Sequence, residues 1–155
     1  MMDLSDLIEV SAIVPSLKAN SKKQVLQLLS EKAASVTGLT EREIFDTILQ
    51  RERLGSTGVG NGIAIPHGKL AGISEITGIF ARLDHPVEFD SLDDRPVDLV
   101  FMLLAPEGAG ADHLKALSRI ARVLRDPDTT AKIRGTDDAA AIHNLLAQAP
   151  ASNAA

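Results

Sequence analysis

The sequence predicts an α/β fold: a single domain in which helices flank both faces of a central sheet of mixed parallel and antiparallel strands. Helical patterns with capping residues occupy the start and the end of the chain, and strand patterns occupy its middle. At 155 residues the chain has the usual length of one domain, and no linker or internal repeat divides it. We therefore predict a single domain over residues 1–147 and a flexible C-terminal tail over residues 148–155.

The first two predicted elements are helices that begin at capping boxes. Each box has Ser or Thr followed three residues later by Gln or Glu, at Ser21–Gln24 and at Thr40–Glu43. Apolar residues then recur at helical spacing until Gly38 ends the first helix and Gly55 ends the second. Glu52 would face the apolar stripe of the second helix. We therefore expect either that this helix frays there or that Glu52 has a partner.

The middle of the chain changes to strand patterns. Strands are predicted at 62–65, 76–83 and 87–89, with Asp84-His85-Pro86 as a hairpin turn. The clearest strand covers residues 98–105, which contain the run Leu-Val-Phe-Met-Leu-Leu. Such a near-continuous apolar run is typical of a central strand that is covered on both faces.

Three further helices are predicted after this strand. The first covers about residues 112–125, with Leu or Ala at helical spacing on one face. Pro127 and Asp128 begin a short helix, and the segment 136–138 caps a last one that ends at Leu146. Because helical segments both precede and follow the strands, we expect helices on both faces of the sheet.

Composition excludes several classes of protein. The formal net charge of −5 has the wrong sign for nucleic-acid binding, and four Phe without Trp or Tyr offer little surface for base stacking. The absence of Cys excludes disulfides and thiolate metal sites. The longest apolar run, Leu99 to Ala105, is too short to span a membrane, and the acidic N-terminus lacks signal-peptide features. We therefore expect a cytoplasmic protein without nucleic-acid binding or membrane insertion.

The segment from Arg51 to Gly68 is the most specific feature of the sequence. It contains five glycines and ends in Pro66-His67-Gly68. Pro66 restricts the backbone before the histidine, and Gly68 has no side chain after it. An imidazole in such a setting is exposed and suited to act as a nucleophile. His85 and His143 have no comparable setting and are predicted to be ordinary residues.

Other residues can complete a site for phosphoryl transfer. His113 is predicted in the first turn of a helix that follows the central strand, where it could meet His67 beyond the strand ends. A helix N-terminus disfavours imidazolium, which would keep His113 neutral. Arg51 could hold phosphoryl oxygens with its planar guanidinium, and the hydroxyls of Ser56 and Thr57 could complete the cradle.

The segment Arg-Glu-Arg-Leu-Gly-Ser-Thr-Gly-Val-Gly-Asn-Gly-Ile-Ala-Ile-Pro-His-Gly-Lys, residues 51–69, resembles the active-site signature of a known family. That family comprises the fructose/mannitol-class (type 2) IIA domains of the bacterial phosphoenolpyruvate-dependent phosphotransferase system. Within it, the segment resembles the nitrogen-regulatory type more narrowly. The resemblance extends from about Leu4 to Leu146. It implies that His67 accepts a phosphoryl group on Nε2 from an HPr-like phosphocarrier, with His113 as the second active-site histidine and Arg51 at the phosphoryl group.

The resemblance also places Ser56, Thr57 and Asn61 in the loop that lines the phosphoryl site. Sugar-transporting relatives commonly have an acidic residue where Asn61 stands, so this departure favours a regulator. The lack of attached IIB or membrane domains in this sequence favours the same branch. Such a regulator would change its binding to target proteins, such as transporters or sensor kinases, with its phosphorylation state. No cofactor is expected.

Two alternatives stay open at this point. One is a sugar-specific IIA component that passes its phosphate to a IIB domain. The other, weaker alternative is a metal-dependent hydrolase that uses His67 and His113, with Asp112 as a third ligand. No metal-ligand spacing such as H-x-x-x-H supports it, and we expect no metal.

Overall fold

The structure, a computed structural model, describes residues 4–148. Two short 3₁₀ turns, Leu4–Asp6 and Val10–Ala12, precede the first strand. The strands within this range are β1 Ile13–Leu17, β2 Gly58–Gly60, β3 Ile63–Ala64, β4 His67–Leu70, β5 Thr77–Val87 and β6 Val97–Pro106. The helices are α1 Lys22–Thr37, α2 Glu41–Leu54, α3 Ala111–Arg125, α4 Pro127–Arg134 and α5 Ala139–Gln148.

Strand β6 is the centre of a mixed sheet. Its residues from Leu99 to Ala105 are fully buried, as expected for a strand covered on both faces. Antiparallel β5 pairs with one edge of β6, and parallel β3 and β4 pair one after the other with the opposite edge. Strand β1 lies parallel beyond β5, and β2 lies antiparallel beyond β3. The predicted mixed sheet and its central strand are confirmed.

Helices form a layer on each face of this sheet. Helices α1 and α2 pack against each other and contact β5 and β4. Helices α3, α4 and α5 pack one after another and reach β6 and β1. The two predicted capping boxes begin α1 and α2, where the Ser21 and Thr40 hydroxyls each accept a backbone hydrogen bond at 3.2 Å. The α/β class and its helices on both faces are therefore confirmed.

The predicted hairpin at Asp84-His85-Pro86 is wrong. Strand β5 continues through these residues to Val87. Arg82 lies opposite Leu99, but Val87 lies opposite Val97, so five steps along β5 match two steps along β6. The extra residues form a bulge in β5. Pro86 is compatible with this position, because it has no N–H to donate to the neighbouring strand. The chain reverses later, in residues 88–96, and the predicted strand at 87–89 reduces to the last residue of β5.

Helix α5 ends the described part of the chain. The predicted tail lies outside the described residues except for Gln148, which ends α5. No helix within residues 4–148 is long and apolar enough to cross a membrane.

Candidate active site

His67 opens β4 beside the central strand. It pairs with Leu103 of β6, so the sheet rather than a free loop fixes its backbone. The Nδ1 atom of His67 lies 2.9 Å from the carbonyl oxygen of Ile65. A carbonyl oxygen only accepts hydrogen bonds, so Nδ1 must carry the proton. In the neutral ring, Nε2 therefore holds a free lone pair and is the nucleophilic atom.

His113 lies beside His67. It occupies the first turn of α3 and is only 7% exposed. The centroids of the two imidazole rings are 5.5 Å apart, and the ring planes make an angle of 53°. Within residues 4–148, Nδ1 of His113 has no hydrogen-bond partner. The structure thus brings together the two histidines that the sequence singled out.

The environment keeps both imidazoles neutral near neutral pH. Burial lowers the pKa of His67 from 6.5, and the nearby Arg51 guanidinium lowers it further, whereas the Ile65 hydrogen bond and the Glu52 carboxylate oppose the shift. Burial is also the main cause of the lowered pKa of His113, with contributions from His67 and Lys69. Removal from water is thus the main cause for both histidines, and the contribution expected from the helix N-terminus at His113 stays a prediction.

Acidification is expected to destabilise the fold through these two histidines. Their folded pKa values lie below 6.5, the value of an unperturbed histidine, so the unfolded chain binds more protons below that pH. The stability from the neutral rings is complete above pH 6.5 and is lost as the pH falls through the lowered values. A double variant, His67→Gln with His113→Gln, should lose less Tm than the wild type between about pH 7 and about pH 5. Equal losses in thermal unfolding would contradict this assignment.

Arg51 reaches the site because α2 packs closely on β4. A Cβ atom on Gly68 would lie 2.9 Å from Cγ2 of Thr47, so glycine permits this close approach. The last turn of α2 then carries Arg51 to His67, where its charge lowers the histidine pKa. The Nη1 atom of Arg51 donates to the carbonyl of Gly55 at 3.0 Å, and the side chain is only half-buried. The remaining guanidinium donors can serve an anion at His67.

The hydroxyls of Ser56 and Thr57 are engaged in the loop itself. Ser56 Oγ donates to the carbonyl of Phe89 at 2.5 Å and accepts from the N–H of Gly58 at 3.0 Å. Thr57 Oγ1 donates to the carboxylate of Glu52. The structure therefore uses both hydroxyls to fix the loop, and their direct part in phosphoryl binding stays a prediction.

Asn61 lies away from His67. It occupies the turn between β2 and β3 with φ of +58°, where its N–H donates to Asp93 and its carbonyl accepts from Arg134. The neighbouring Gly62 carbonyl accepts from the N–H of Leu99, whereas His67 pairs with Leu103. Four residues along a strand span about 13 Å. The structure does not place Asn61 beside His67, and its part in the site stays a prediction.

Two charged residues that sequence reasoning did not assign to the site lie next to it. Lys69 contributes to the lowered pKa of His113. The available signal was strand alternation, because Lys69 stands two residues after His67 and so shares its face of β4. Glu52 influences the pKa of His67 from the end of α2, where it is buried with partners. The helix therefore does not fray at Glu52, and the alternative of a partner is confirmed.

The other two histidines, His85 and His143, lie in ordinary surroundings. His85 is exposed on β5, and Nε2 of His143 donates to the carbonyl of Ile8 at 3.0 Å. No group of three or more His, Asp or Glu side chains in the described part of the chain could hold a metal ion. Among residues 4–148, His67 and His113 thus have no third protein ligand of the kind that catalytic zinc sites use.

Comparison with known proteins decides the family. The model for the family "Phosphoenolpyruvate-dependent sugar phosphotransferase system, EIIA 2" matches residues 6–149. The chain belongs to this family. The resemblance that the Pro-His-Gly segment indicated is therefore confirmed, and this IIA domain covers nearly the whole sequence.

Relatives of this IIA domain include regulators and sugar-system components. A nitrogen regulatory protein of Bradyrhizobium diazoefficiens is 60% identical over 153 residues, which cover 99% of this chain and 100% of the relative. A fructose-specific EIIA component of Haloferax volcanii is 34% identical over 92% of this chain and 97% of its own. The crystal structure of nitrogen regulatory protein IIA-Ntr from Neisseria meningitidis superposes with a TM-score of 0.88 at 34% identity, covering 92% of this chain and 98% of its own.

Proposed function

We propose that this IIA domain is a nitrogen-regulatory phosphocarrier of the cytoplasm. His67 accepts a phosphoryl group on Nε2 from an HPr-like carrier, and the phosphorylation state then decides which target proteins the domain binds. The observation that carries the proposal is the fixed His67 ring, whose Nδ1 proton is held by Ile65 and whose Nε2 is free. The neutral His113 and the charged Arg51 beside it support the same chemistry.

The proposed transfer moves one phosphoryl group between two imidazoles. The Nε2 lone pair of His67 attacks phosphorus, the bond between phosphorus and the donor imidazole breaks, and the donor nitrogen keeps that electron pair. No oxidant or added base is needed, because His67 attacks in its neutral form. Its Nδ1–H stays hydrogen-bonded to the Ile65 carbonyl throughout. Arg51 can stabilise charge on the phosphoryl oxygens, as arginine does in other phosphoryl-transfer sites. The neutral His113 ring has one N–H that can donate to the same oxygens.

Phosphorylation can switch binding because it changes the charge of a small surface. A phosphoryl group adds about −2 charge. On His67 this group would lie near the positive charges of Arg51 and Lys69. The positive electrostatic potential at the site would therefore weaken or become negative. Target proteins, such as transporters or sensor kinases, could then discriminate the two forms by electrostatic complementarity. The high identity to the Bradyrhizobium nitrogen regulatory protein supports a regulatory role over sugar uptake.

The direct test is phosphoryl transfer in a purified system. The domain is incubated with enzyme I, an HPr-like carrier and phosphoenolpyruvate, and the labelled residue is mapped by mass spectrometry and ³¹P NMR. We expect one phosphoryl group per chain, on Nε2 of His67. Stoichiometric labelling of another residue, or no labelling with carriers of both the nitrogen and the sugar branch, would disprove the proposal.

A sugar-specific role is the second candidate, because the fructose-specific relative from Haloferax volcanii also spans the chain. It makes a different prediction for the phosphorylated protein. A sugar component should discharge its phosphoryl group rapidly to a fructose-type IIB domain, whereas a regulator should keep it. The rate of ³²P loss on addition of that IIB domain distinguishes the two roles.

A further inference from the structure

A buried carboxylate lies at the end of α2, next to the active-site segment. The side chain of Glu52 is only 2% exposed. It continues the row of Ile44 and Ile48 along α2, and both of those residues are fully buried. An apolar side chain at position 52 would extend the core without the cost of removing a charge from water. The carboxylate therefore calls for a reason other than packing.

Glu52 joins α1 to the segment after α2 through three contacts. Its Oε1 atom lies 2.9 Å from Nζ of Lys22 and accepts from the N–H of Thr57 at 3.2 Å. Its Oε2 atom accepts from the Thr57 hydroxyl. Lys22 also lies 4.9 Å from the ring centroid of Phe89, whose carbonyl accepts from Ser56. The loop at Ser56 and Thr57 is thus tied to both helix α1 and the segment after β5.

The same loop holds the residue that orients His67. The Thr57 carbonyl accepts from the N–H of Ile65 at 3.0 Å, and the Ile65 carbonyl accepts from Nδ1 of His67 at 2.9 Å. An unbroken series of hydrogen bonds therefore runs from Glu52 through Thr57 and Ile65 to the imidazole. The Glu52 carboxylate and two residues, Thr57 and Ile65, thus connect Lys22 to the nucleophile.

We infer that Glu52, held by Lys22, is a positioning residue that keeps the loop at Thr57 in place and thereby fixes the tautomer and aim of His67. The inference rests on the proposed function, since it assigns Glu52 to the phosphorylation of His67. Glu52 touches neither the phosphoryl group nor the carrier. It acts through the backbone of Thr57 and Ile65, and a misplacement of about 1 Å in such a site can reduce a rate by about a hundredfold.

The charge of Glu52 adds a second, separable effect. Its carboxylate raises the pKa of His67 against the lowering by burial and by Arg51. The His113 ring also lies close, with its centroid 5.5 Å from that of His67. A Glu52→Gln substitution keeps the shape and one acceptor for the Thr57 N–H but removes the charge. The titration midpoint of His67 should therefore fall below that of the wild type. An exposed carboxylate on α1 provides the matched control, Glu31→Gln, which should leave the midpoint unchanged.

The experiment measures the imidazole and the transfer rate separately. Imidazole ¹⁵N shifts report the tautomer and titration of His67 without any carrier, and single-turnover transfer gives the rate at saturating carrier together with its half-saturation concentration. Thr57→Val should shift the tautomer away from Nδ1–H and reduce the saturating rate about tenfold or more, with little change in half-saturation. Thr57→Ser restores the hydroxyl and should restore both readouts.

A pair of adjacent lysines tests the other end of the series. Lys22→Met leaves Glu52 buried without its cation, and it should perturb the His67 tautomer and lower the saturating rate. Lys23→Met removes the same charge from the exposed neighbouring position and should behave as the wild type. Circular dichroism and thermal unfolding show whether each variant is folded, and the ¹⁵N shifts are read only on folded protein.

The outcomes separate this inference from the proposed function. If folded Thr57→Val, Lys22→Met and Glu52→Gln proteins keep the wild-type tautomer, titration midpoint and saturating rate within about twofold, Glu52 is not a positioning residue. If the wild type accepts no phosphoryl group, the proposed function fails. The imidazole shifts then still decide whether Glu52 fixes His67.

Discussion

The His67→Ala protein is expected to accept no phosphoryl group from the carrier. The substitution removes the unprotonated, partly accessible Nε2 atom that lies near the Arg51 charge. His113 cannot take over readily, since it is more deeply buried in the first turn of α3. Covalent transfer depends on the nucleophile itself, so we expect labelling to fall by at least about a thousandfold. Radiolabelling from ³²P-phosphoenolpyruvate with enzyme I and an HPr-like carrier measures it.

The matched control is His85→Ala. His85 lies exposed in the bulge of β5, so its loss should leave both labelling and Tm close to wild-type values. A second control, His67→Asn, places an amide N–H near the position of Nδ1, where it can donate to the Ile65 carbonyl and preserve the local fold. If either His67 variant became labelled to the wild-type extent, the phosphoryl acceptor would have to be another residue.

Local signals explain why the helices could be predicted. The hydroxyls of Ser21 and Thr40 cap α1 and α2 as their sequence pattern indicates, and Gly38 ends α1 with φ of +82°. These contacts join residues three or four positions apart, so a short window of sequence contains both partners. The central strand was equally clear, because seven consecutive buried apolar residues leave few other structures.

Strand boundaries were harder to predict because partners far away in sequence decide them. Asp84-His85-Pro86 has the composition of a turn, yet β6 keeps the chain in the sheet on both sides of the bulge. Strand β4 has no apolar pattern to mark it, since it consists of His67, Gly68, Lys69 and Leu70. It is a strand because its backbone pairs with β6, and nothing within the segment itself records that partner.

The candidate site was predictable to the extent that its residues cluster in sequence. His67 and Arg51 belong to one unusual segment, and the structure places them together. Lys22 stands thirty residues before Glu52, so only the packing of α1 on α2 could reveal that pair. Asn61 shows that a shared segment does not ensure proximity, because the structure does not place it beside His67, and its part in the site stays a prediction.

Replacement of Arg51 by Ala is expected to slow phosphoryl acceptance by about a hundredfold to a thousandfold. Loss of one preorganised donor to a developing charge costs about 2.7–4 kcal/mol in comparable sites. Arg51 also lowers the pKa of His67, so its removal raises the protonated fraction of the nucleophile. The two effects differ in their pH dependence. Single-turnover rates should therefore be compared at about pH 8, where His67 is neutral in both proteins and only the loss of stabilisation remains.

Two further substitutions distinguish the contribution of the planar Arg51 guanidinium to the transfer rate from that of its positive charge. Arg51→Lys keeps a cation but not the planar guanidinium, so its rate should lie between those of the wild type and Arg51→Ala. Arg53→Ala removes an exposed cation two residues later on the same turn of α2 and should have little effect. Because Arg51 also donates to the Gly55 carbonyl, Tm is measured for each variant to exclude a loosened helix end. If folded Arg51→Ala transfers at the wild-type rate at about pH 8, Arg51 cannot stabilise the phosphoryl group, and its role reduces to setting the pKa of His67.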